Sequence, residues 1–239
     1  MCTVSYIKIN NGFILTSNRD ELVSRPALPP AFYNENGKTL LFPKDELGHG
    51  SWIASDKGGH VSCLLNGAFE KHKRQLPYSK SRGVVLLESF AHDNVSTFLQ
   101  KVNLYRVEPF TLVMASKDAV TELKWDGTKK HIKVHNPEDN HIWSSPTLYP
   151  LEVSVKKERW FKEWMTKYAL EKERNIYNFH NTRHGTNPSE DVLSKFSEEL
   201  KTVSITEVEV SQDKVKMTYH DLIREKTDSR NFKELTGHV

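Results

Sequence analysis

The chain has 239 residues, of which 37% are hydrophobic and 27% are charged, a composition that can bury a substantial core and excludes intrinsic disorder of the whole chain. Lysine and arginine total 34 against 31 aspartate and glutamate, and because the two signs are interspersed, the formal charge of +3 argues against a nucleic-acid-binding surface. The mean hydropathy of -0.61 and the absence of an apolar run near the ~20 residues that cross a bilayer exclude a transmembrane helix.

The first part of the chain predicts two β-hairpins separated by a loop. Residues 3–9 and 13–17 are rich in β-branched and aromatic residues, and the Asn-Asn-Gly sequence between them tolerates positive φ. Residues 23–38 contain three prolines, which forbid a central strand and favour a long surface loop. Residues 51–54 and 60–65 predict the second hairpin.

Two helices and three strands are predicted next. Ser81 and Asn94 are suitable N-caps for two successive short helices, each with apolar residues on one side. Residues 110–115, 120–125 and 131–135 then read as short strands, separated by turn-forming residues.

The last part of the chain predicts a long helix, a shorter one and a closing hairpin. Apolar residues recur at three and four positions over residues 155–173, so the aromatic stripe of this helix is expected to pack in the core and the charged run 156–159 to face solvent. Residues 190–200 repeat the helical pattern more weakly. Residues 203–210 and 214–219 alternate as two strands.

This order of strands, helices, strands, helices and strands predicts the α+β class, with two antiparallel sheets stacked between helix layers. No linker, repeat or low-complexity tract divides residues 1–239, so we expect a single domain. The two cysteines, Cys2 and Cys63, cannot form a disulfide framework, and no secretory signal opens the chain. We therefore expect a cytoplasmic location.

Cys2 is the candidate nucleophile. Removal of Met1 would give Cys2 a free α-amino group, whose reference pKa of about 7.7 to 8.0 suits it to act as a base for the thiol. The alternative interpretation is structural, because free cysteine mostly behaves as a small buried hydrophobe.

The first hairpin predicts which residues lie beside Cys2. A turn at the Asn-Asn-Gly sequence places Cys2 opposite Asp20 or Glu21. In the first register Cys2 shares a face with Asn18 and Asp20, and in the second Arg19 is its diagonal neighbour. A guanidinium would favour the thiolate, and a carboxylate would hold the amino group or favour its protonated form. A structural ion pair is the alternative.

At this point the sequence resembles the NRDE-motif family, the Transport and Golgi organisation protein 2 homologues. The resemblance covers residues 1–90 and rests on these segments: Met1-Cys2-Thr3, Ser17-Asn18-Arg19-Asp20-Glu21, Arg25-Pro26, Gly50-Ser51-Trp52-Ile53-Ala54, Leu64-Leu65-Asn66 and Ser81-Arg82-Gly83.

That family is in turn similar to the cysteine N-terminal nucleophile hydrolases, such as penicillin V acylases and bile salt hydrolases. The resemblance implies a four-layer αββα sandwich and hydrolysis of a linear, small or lipid-like amide. It also implies that Cys2 is nucleophile and base, that Arg19 and Asp20 orient and polarise it, and that Asn66 donates to the oxyanion.

The second half of the chain departs from the hydrolases at two positions. Ser145 stands where a second catalytic asparagine is expected, and Val203 stands about where an arginine is expected. Arg183 could compensate from a loop.

The family is also linked to haem handling and lipid homeostasis, so the alternative function is a non-catalytic carrier of haem or another hydrophobic ligand. His180 and His184 have the separation that places two imidazoles on one helical face, but no histidine set has a complete metal spacing. We therefore expect no metal and no cofactor. The expected partner is a small-molecule amide or a hydrophobic ligand.

Overall fold

The computed structural model describes residues 3–168, 175–212 and 214–233. In this part of the chain, antiparallel strands form two sheets. The strands, numbered in chain order, are β1 Thr3–Ile9, β2 Gly12–Leu22, β3 Ala27–Glu35, β4 Lys38–Asp45, β5 Ile53–Asp56, β6 Val61–Asn66, β7 Phe110–Ala115, β8 Val120–Trp125, β9 Lys130–His135, β10 His141–Ser144, β11 Leu200–Ser211, β12 Lys214–Asp221 and β13 Lys226–Asn231.

The two sheets stack on each other and enclose the main core. The six-stranded sheet has the order β10-β1-β2-β11-β12-β13, and the seven-stranded sheet has the order β3-β4-β5-β6-β7-β8-β9. Apolar side chains of both sheets fill the interface, among them Tyr6, Phe13, Phe42, Leu65 and Phe110, all fully buried. Alternate residues of each strand point into this interface, so the packed sheets follow from the two-residue period of the strands.

Helices cover both outer faces. They are α1 Arg82–Glu88, α2 Val95–Lys101, α3 Leu151–Tyr168 and α4 Ile176–His180. Helix α1 packs on β5 and β6, whereas α3 packs on β10 and α4 packs on β2 and β11. The expected four-layer αββα arrangement is therefore confirmed. None of the described helices combines the length and apolar character that a membrane span requires.

Both predicted helix caps are confirmed. The Ser81 side chain accepts a hydrogen bond from the Val84 backbone N–H, and the Asn94 side chain accepts one from the Thr97 N–H. These bonds satisfy N–H groups that have no partner within the helix, so short polar side chains mark the two helix starts.

The loop predicted over residues 23–38 is wrong, because most of this segment is strand β3. Strand β3 lies at the edge of its sheet, and its pairing with β4 shifts between Leu28 and Ala31, where Pro29 and Pro30 occur. Proline has no backbone N–H to donate. At a bulge on an edge strand this donor is not needed, because the residue there does not pair with a neighbouring strand. The prolines thus exclude a central position but not a strand.

The helix predicted over residues 190–200 is also wrong. The Asp191 carboxylate accepts backbone hydrogen bonds from His184, Gly185 and Val192, and the Lys195 N–H bonds to the Pro188 carbonyl. Side-chain to backbone bonds of this kind compete with helical ones. Strands β4, β10 and β13 and helix α4 were not predicted.

Helix α3 begins four residues earlier than predicted, and residues 169–173 of the prediction lie outside the described residues. Its inward side carries Val153, Lys157, Phe161 and Trp164, all buried. The prediction that the charged run 156–159 faces solvent is therefore wrong for Lys157, which is fully buried.

Candidate active site

The first hairpin has a two-residue turn, which sets the register of the candidate site. Ile9 pairs with Gly12, Asn11 has a φ of 61°, and Thr3 pairs with Asn18. Both predicted registers are wrong, because each assumed a turn longer than the observed one. Cys2 itself lies outside the described residues.

The NRDE segment, residues 18–21 of β2, sends alternate side chains to opposite faces of the sheet. Arg19 and Glu21 line a cavity between the sheets. Asn18 and Asp20 point the other way, towards the layer that contains α3 and α4. The strand period of two thus divides the motif into two pairs with different surroundings.

Arg19 is buried and held from several directions. Its Nη2 lies 2.8 Å from Asp45 Oδ2, its Nη1 donates to the Arg25 carbonyl at 2.9 Å, and its guanidinium lies 4.8 Å from the centre of the Trp52 ring. Arg25 Nε also lies 3.0 Å from Asp45 Oδ2, and Arg25 Nη1 lies 3.3 Å from Glu21 Oε2.

Asp45 is the more buried of the two carboxylates in this cluster. Burial opposes ionisation of Asp45, but the Gly48 N–H and the guanidinium groups of Arg25 and Arg19 outweigh it and hold the pKa of the carboxyl below its ordinary value. The carboxylate is therefore ionised at neutral pH and fixes Arg19 against the cavity wall.

Asp20 lies behind the cavity wall in a polar, buried setting. The Thr202 hydroxyl donates to Asp20 Oδ1 at 2.6 Å, and the Tyr149 hydroxyl donates to Oδ2 at 2.8 Å. The Lys157 ammonium lies 3.2 Å from the centre of the Tyr149 ring and donates to Thr3 Oγ1 at 3.0 Å. Tyr149 and Lys157 were not among the predicted site residues, although the position of Lys157 in the apolar stripe of α3 was a usable signal.

Asn18 and His180 form a structural pair on the same outer face. Asn18 Nδ2 donates to the carbonyls of His180 and Val192, so its Oδ1 accepts from His180 Nδ1, and Ser5 donates its hydroxyl to Nε2. Burial, with smaller contributions from the positive charges of His184 and Lys157, lowers the pKa of His180 to about 3. His180 is therefore neutral and fully engaged.

The hypothesis that His180 and His184 share a helical face is wrong, because α4 ends at His180. His184 Nε2 instead bonds to the Phe179 carbonyl at 2.9 Å. Within the described residues, no group of three or more histidine, cysteine, aspartate or glutamate side chains could hold a metal ion.

Asn66 ends β6 and lines the same cavity as Arg19. Its backbone carbonyl accepts from the Ser145 hydroxyl at 2.7 Å and from the Thr147 hydroxyl at 3.4 Å. Within the described part of the chain, its side-chain amide makes no hydrogen bond. The amide is thus held at the cavity wall with its donors available.

The two positions that depart from the hydrolase pattern have structural explanations. Ser145 is buried, and its hydroxyl holds the Asn66 carbonyl. Val203 is the extra residue of a β-bulge, because Thr202 pairs with Asp20 and Ser204 pairs with Arg19. Arg183 is exposed and does not line the cavity, so the structure gives no support for compensation by Arg183.

The cavity has a volume of about 580 Å³. Its basic side chains outnumber its acidic ones, and apolar side chains also contribute to its lining. The basic residues are Arg19, Arg25, Arg74, Lys80 and Arg82, the acidic ones are Glu21, Asp45 and Glu108, and the apolar ones are Trp52, Leu64, Leu76 and Pro77.

Cys63 is not a reactive thiol. It is fully buried in β6, and burial raises the pKa of its thiol to about 12. Because the thiolate is the nucleophilic form, Cys63 is inert at neutral pH.

The fold is that of the N-terminal nucleophile hydrolases, as comparison with solved structures shows. Conjugated bile acid hydrolase from Clostridium perfringens, as an engineered variant, matches with a TM-score of 0.65 and 10% identity over 98% of this chain and 93% of that one. Penicillin V acylase from Agrobacterium tumefaciens matches with a TM-score of 0.59 and 10% identity over 98% and 87%. The Caenorhabditis elegans ortholog of N-acylethanolamine-hydrolyzing acid amidase matches with a TM-score of 0.53 and 13% identity over 87% of this chain and 92% of that one.

The chain itself belongs to the Transport and Golgi organisation 2 family, whose sequence model matches residues 1–225. A comparison with functionally curated proteins gives no match. At these identities the solved structures establish the fold alone.

Proposed function

We propose that the protein is a cysteine-dependent N-terminal nucleophile amidohydrolase that acts on a small or lipid-like linear amide. The observation that carries the proposal is the pairing of Thr3 with Asn18, because it brings the start of β1 beside Arg19 and Asp20. Since Cys2 is bonded to Thr3, their Cα atoms are about 3.8 Å apart. Successive strand side chains alternate, so continuation of β1 to Cys2, which this proposal requires, would direct the thiol to the Arg19 face.

The residues support a complete reaction once Met1 is removed. The Cys2 α-amino group takes the thiol proton, and the thiolate attacks the amide carbonyl carbon. Asn66 donates its amide to the oxyanion of the tetrahedral intermediate. When the C–N bond breaks, the protonated α-amino group gives its proton to the leaving amine. Water then hydrolyses the thioester, which releases the carboxylic acid and restores the thiol.

Arg19 and Asp20 have different expected roles. The Arg19 guanidinium, fixed by Asp45, favours the thiolate by its positive charge. The buried Asp20 carboxylate, held by Thr202 and Tyr149, orients the α-amino group. Ser145 positions Asn66 through its carbonyl instead of supplying a second amide donor.

The first test is the mass of the intact purified protein before and after alkylation by iodoacetamide, with Cys2→Ala and Cys63→Ala as matched variants. We expect loss of Met1 and fast single labelling that Cys63→Ala retains and Cys2→Ala loses. A panel of N-acyl amides then tests hydrolysis, with Asn66→Ala expected to lower kcat about 100-fold. Retained Met1, or amidase activity undiminished in Cys2→Ala, would contradict the proposal.

The second candidate function is a carrier of haem or another hydrophobic ligand, and a separate groove favours it. This groove, of about 540 Å³, lies between β9, β10 and α3 and is lined by Trp143, Phe161, Met165, His135 and His141. The two imidazole rings are 4.9 Å apart, so the groove combines apolar walls with nitrogen ligands.

The Nε2 atom of each imidazole faces an acceptor. His135 Nε2 lies 2.7 Å from Glu122 Oε2, and His141 Nε2 lies 2.8 Å from the Asn136 carbonyl. Burial outweighs the Glu122 charge and lowers the pKa of His135. Because both partners are acceptors, the neutral form of each ring has its proton on Nε2 and a lone pair on Nδ1.

Titration with haem tests the carrier function. A shift of the haem Soret band at micromolar protein would support the carrier function if the double variant His135→Ala, His141→Ala abolishes the shift. The control variant His131→Ala, at an exposed position, should retain it. An unchanged haem spectrum would exclude haem as the ligand.

A further inference from the structure

Lys157 is a buried cation at the centre of an apolar helix stripe. It lies on α3 between Val153 and Phe161, and its side chain is fully buried. Lysine is almost never fully buried unless it is paired, because removing an ammonium group from water is costly. Its place in this protein therefore requires a specific reason.

The contacts of Lys157 point to the start of β1. Its ammonium donates to Thr3 Oγ1 at 3.0 Å and lies 3.2 Å from the centre of the Tyr149 ring. The hydroxyl of the same Tyr149 donates to Asp20 Oδ2 at 2.8 Å. Lys157 thus contacts the residue that follows Cys2 and the residue that holds Asp20.

We propose that Lys157 is a positioning residue of the Cys2 site, whose buried ammonium holds Thr3 and Tyr149 in place and biases the Cys2 amino group towards its neutral, basic form. This inference rests on the proposed function, because it requires a free Cys2 amino group. It assigns a role to a residue outside the NRDE motif, on the face of the sheet opposite the cavity.

The magnitude follows from distance and burial. The Lys157 ammonium bonds to Thr3, and covalent geometry keeps the amino group of the adjacent Cys2 within roughly 10 Å of it. At the effective dielectric of about 20 that suits protein sites, a charge at this distance changes a titration midpoint by about one pH unit. A nearby positive charge favours the neutral amine and the thiolate, both of which the reaction uses.

The other charged and titratable groups near the start of β1 are Arg19 and Asp20 on β2, Tyr149 in the turn after β10 and the neutral His180 on α4. Arg19 acts in the same direction as Lys157, and Asp20 acts in the opposite one. The Lys157 contribution must therefore be isolated by a change at Lys157 alone.

The test is the pH dependence of Cys2 alkylation by iodoacetamide, measured by peptide mass in a Cys63→Ala background. Lys157→Met and Lys157→Gln remove the charge. Lys156→Met is the matched control, since Lys156 lies on the same helix but forms a surface ion pair with Glu190. Tyr149→Phe keeps the ring beneath the ammonium but removes the donor to Asp20.

We expect the alkylation midpoint to rise by about one pH unit in both Lys157 variants, by less than half of that in Tyr149→Phe, and not to move in Lys156→Met. Folded Lys157 variants with the wild-type midpoint would overturn the inference, as would failure of both variants to fold, because Lys157 would then be purely structural. Absence of Cys2 labelling in the wild-type protein would instead contradict the proposed function.

Discussion

Asp45→Asn is the substitution for which the structure makes the sharpest stability prediction. The Asp45 side chain is 11% exposed and accepts from Arg19, Arg25 and the backbone N–H of Gly48. Asparagine has nearly the same shape and can still accept from Gly48, but it carries no charge. Its NH₂ group also faces the two guanidinium groups, where only an acceptor is suitable.

The expected cost comes mainly from Arg19. Its side chain is 3% exposed, so Asp45→Asn leaves a buried positive charge without its counter-charge. Breaking a buried ion pair in this way costs about 3–5 kcal/mol. Arg19 keeps its bond to the Arg25 carbonyl, and Arg25 is 38% exposed and therefore contributes little. We expect a loss near the lower limit, about 3 kcal/mol.

Urea unfolding at pH 7 and thermal melting, both followed by circular dichroism, measure this loss. For a chain of this length, about 3 kcal/mol corresponds to a decrease in Tm of about 6–12 °C. Glu21→Gln is the matched control: it also removes a carboxylate partner of Arg25, but at the cavity rim, and should cost less than about 1 kcal/mol. A loss below about 1 kcal/mol for Asp45→Asn would refute the assignment of Asp45 as the fixing charge for Arg19.

Three further predictions concern the same region. Because the folded-state pKa of Asp45 lies below the unfolded value, its stabilisation is present above about pH 4 and is lost as pH falls, so the stability difference between wild type and Asp45→Asn should narrow below about pH 4 in urea titrations. The folded-state pKa of His180, about 3, lies below the unfolded value of about 6.5. The free energy of unfolding should therefore fall by up to about 1.4 kcal/mol per pH unit below about pH 6.5, and His180→Gln should remove this slope. An unchanged slope in His180→Gln would contradict the assignment of His180 as a buried, neutral group. Ser145→Ala removes a hydroxyl that holds the Asn66 carbonyl, so amidase kcat should fall about 10-fold while Cys2 alkylation stays at the wild-type rate; equal losses in both would show a general distortion instead.

Local signals predicted most of the elements. The caps at Ser81 and Asn94 and the strands over residues 110–135 were predicted because a helix start or a tight turn depends on a few neighbouring residues. The layered α+β class followed from the order of these elements. The same local reasoning failed for residues 190–200, where Asp191 binds backbone groups on a different segment of the chain.

The candidate site shows where local reasoning stops. The sequence identified Arg19, Asp20 and Asn66, and Arg19 and Asn66 do line one cavity. It did not identify their faces, because the Asn-Asn-Gly turn offers more than one register. The observed register places Gly12 against β11, where a Cβ would lie 1.9 Å from the Val210 carbonyl oxygen. A strand about 200 residues away thus leaves no room for a side chain at position 12, a constraint that the turn sequence alone does not contain.

The sequence by itself therefore determined the layered α+β class, the helix starts at Ser81 and Asn94 and the residue types of the NRDE segment, because these depend on periodicity and on neighbours along the chain. Only the tertiary structure decided that Asp20 lies behind the cavity with Tyr149 and Thr202, and that Lys157 is buried beside Thr3. The physical reason is that burial of a polar side chain depends on partners supplied by other elements, and no local pattern encodes those partners.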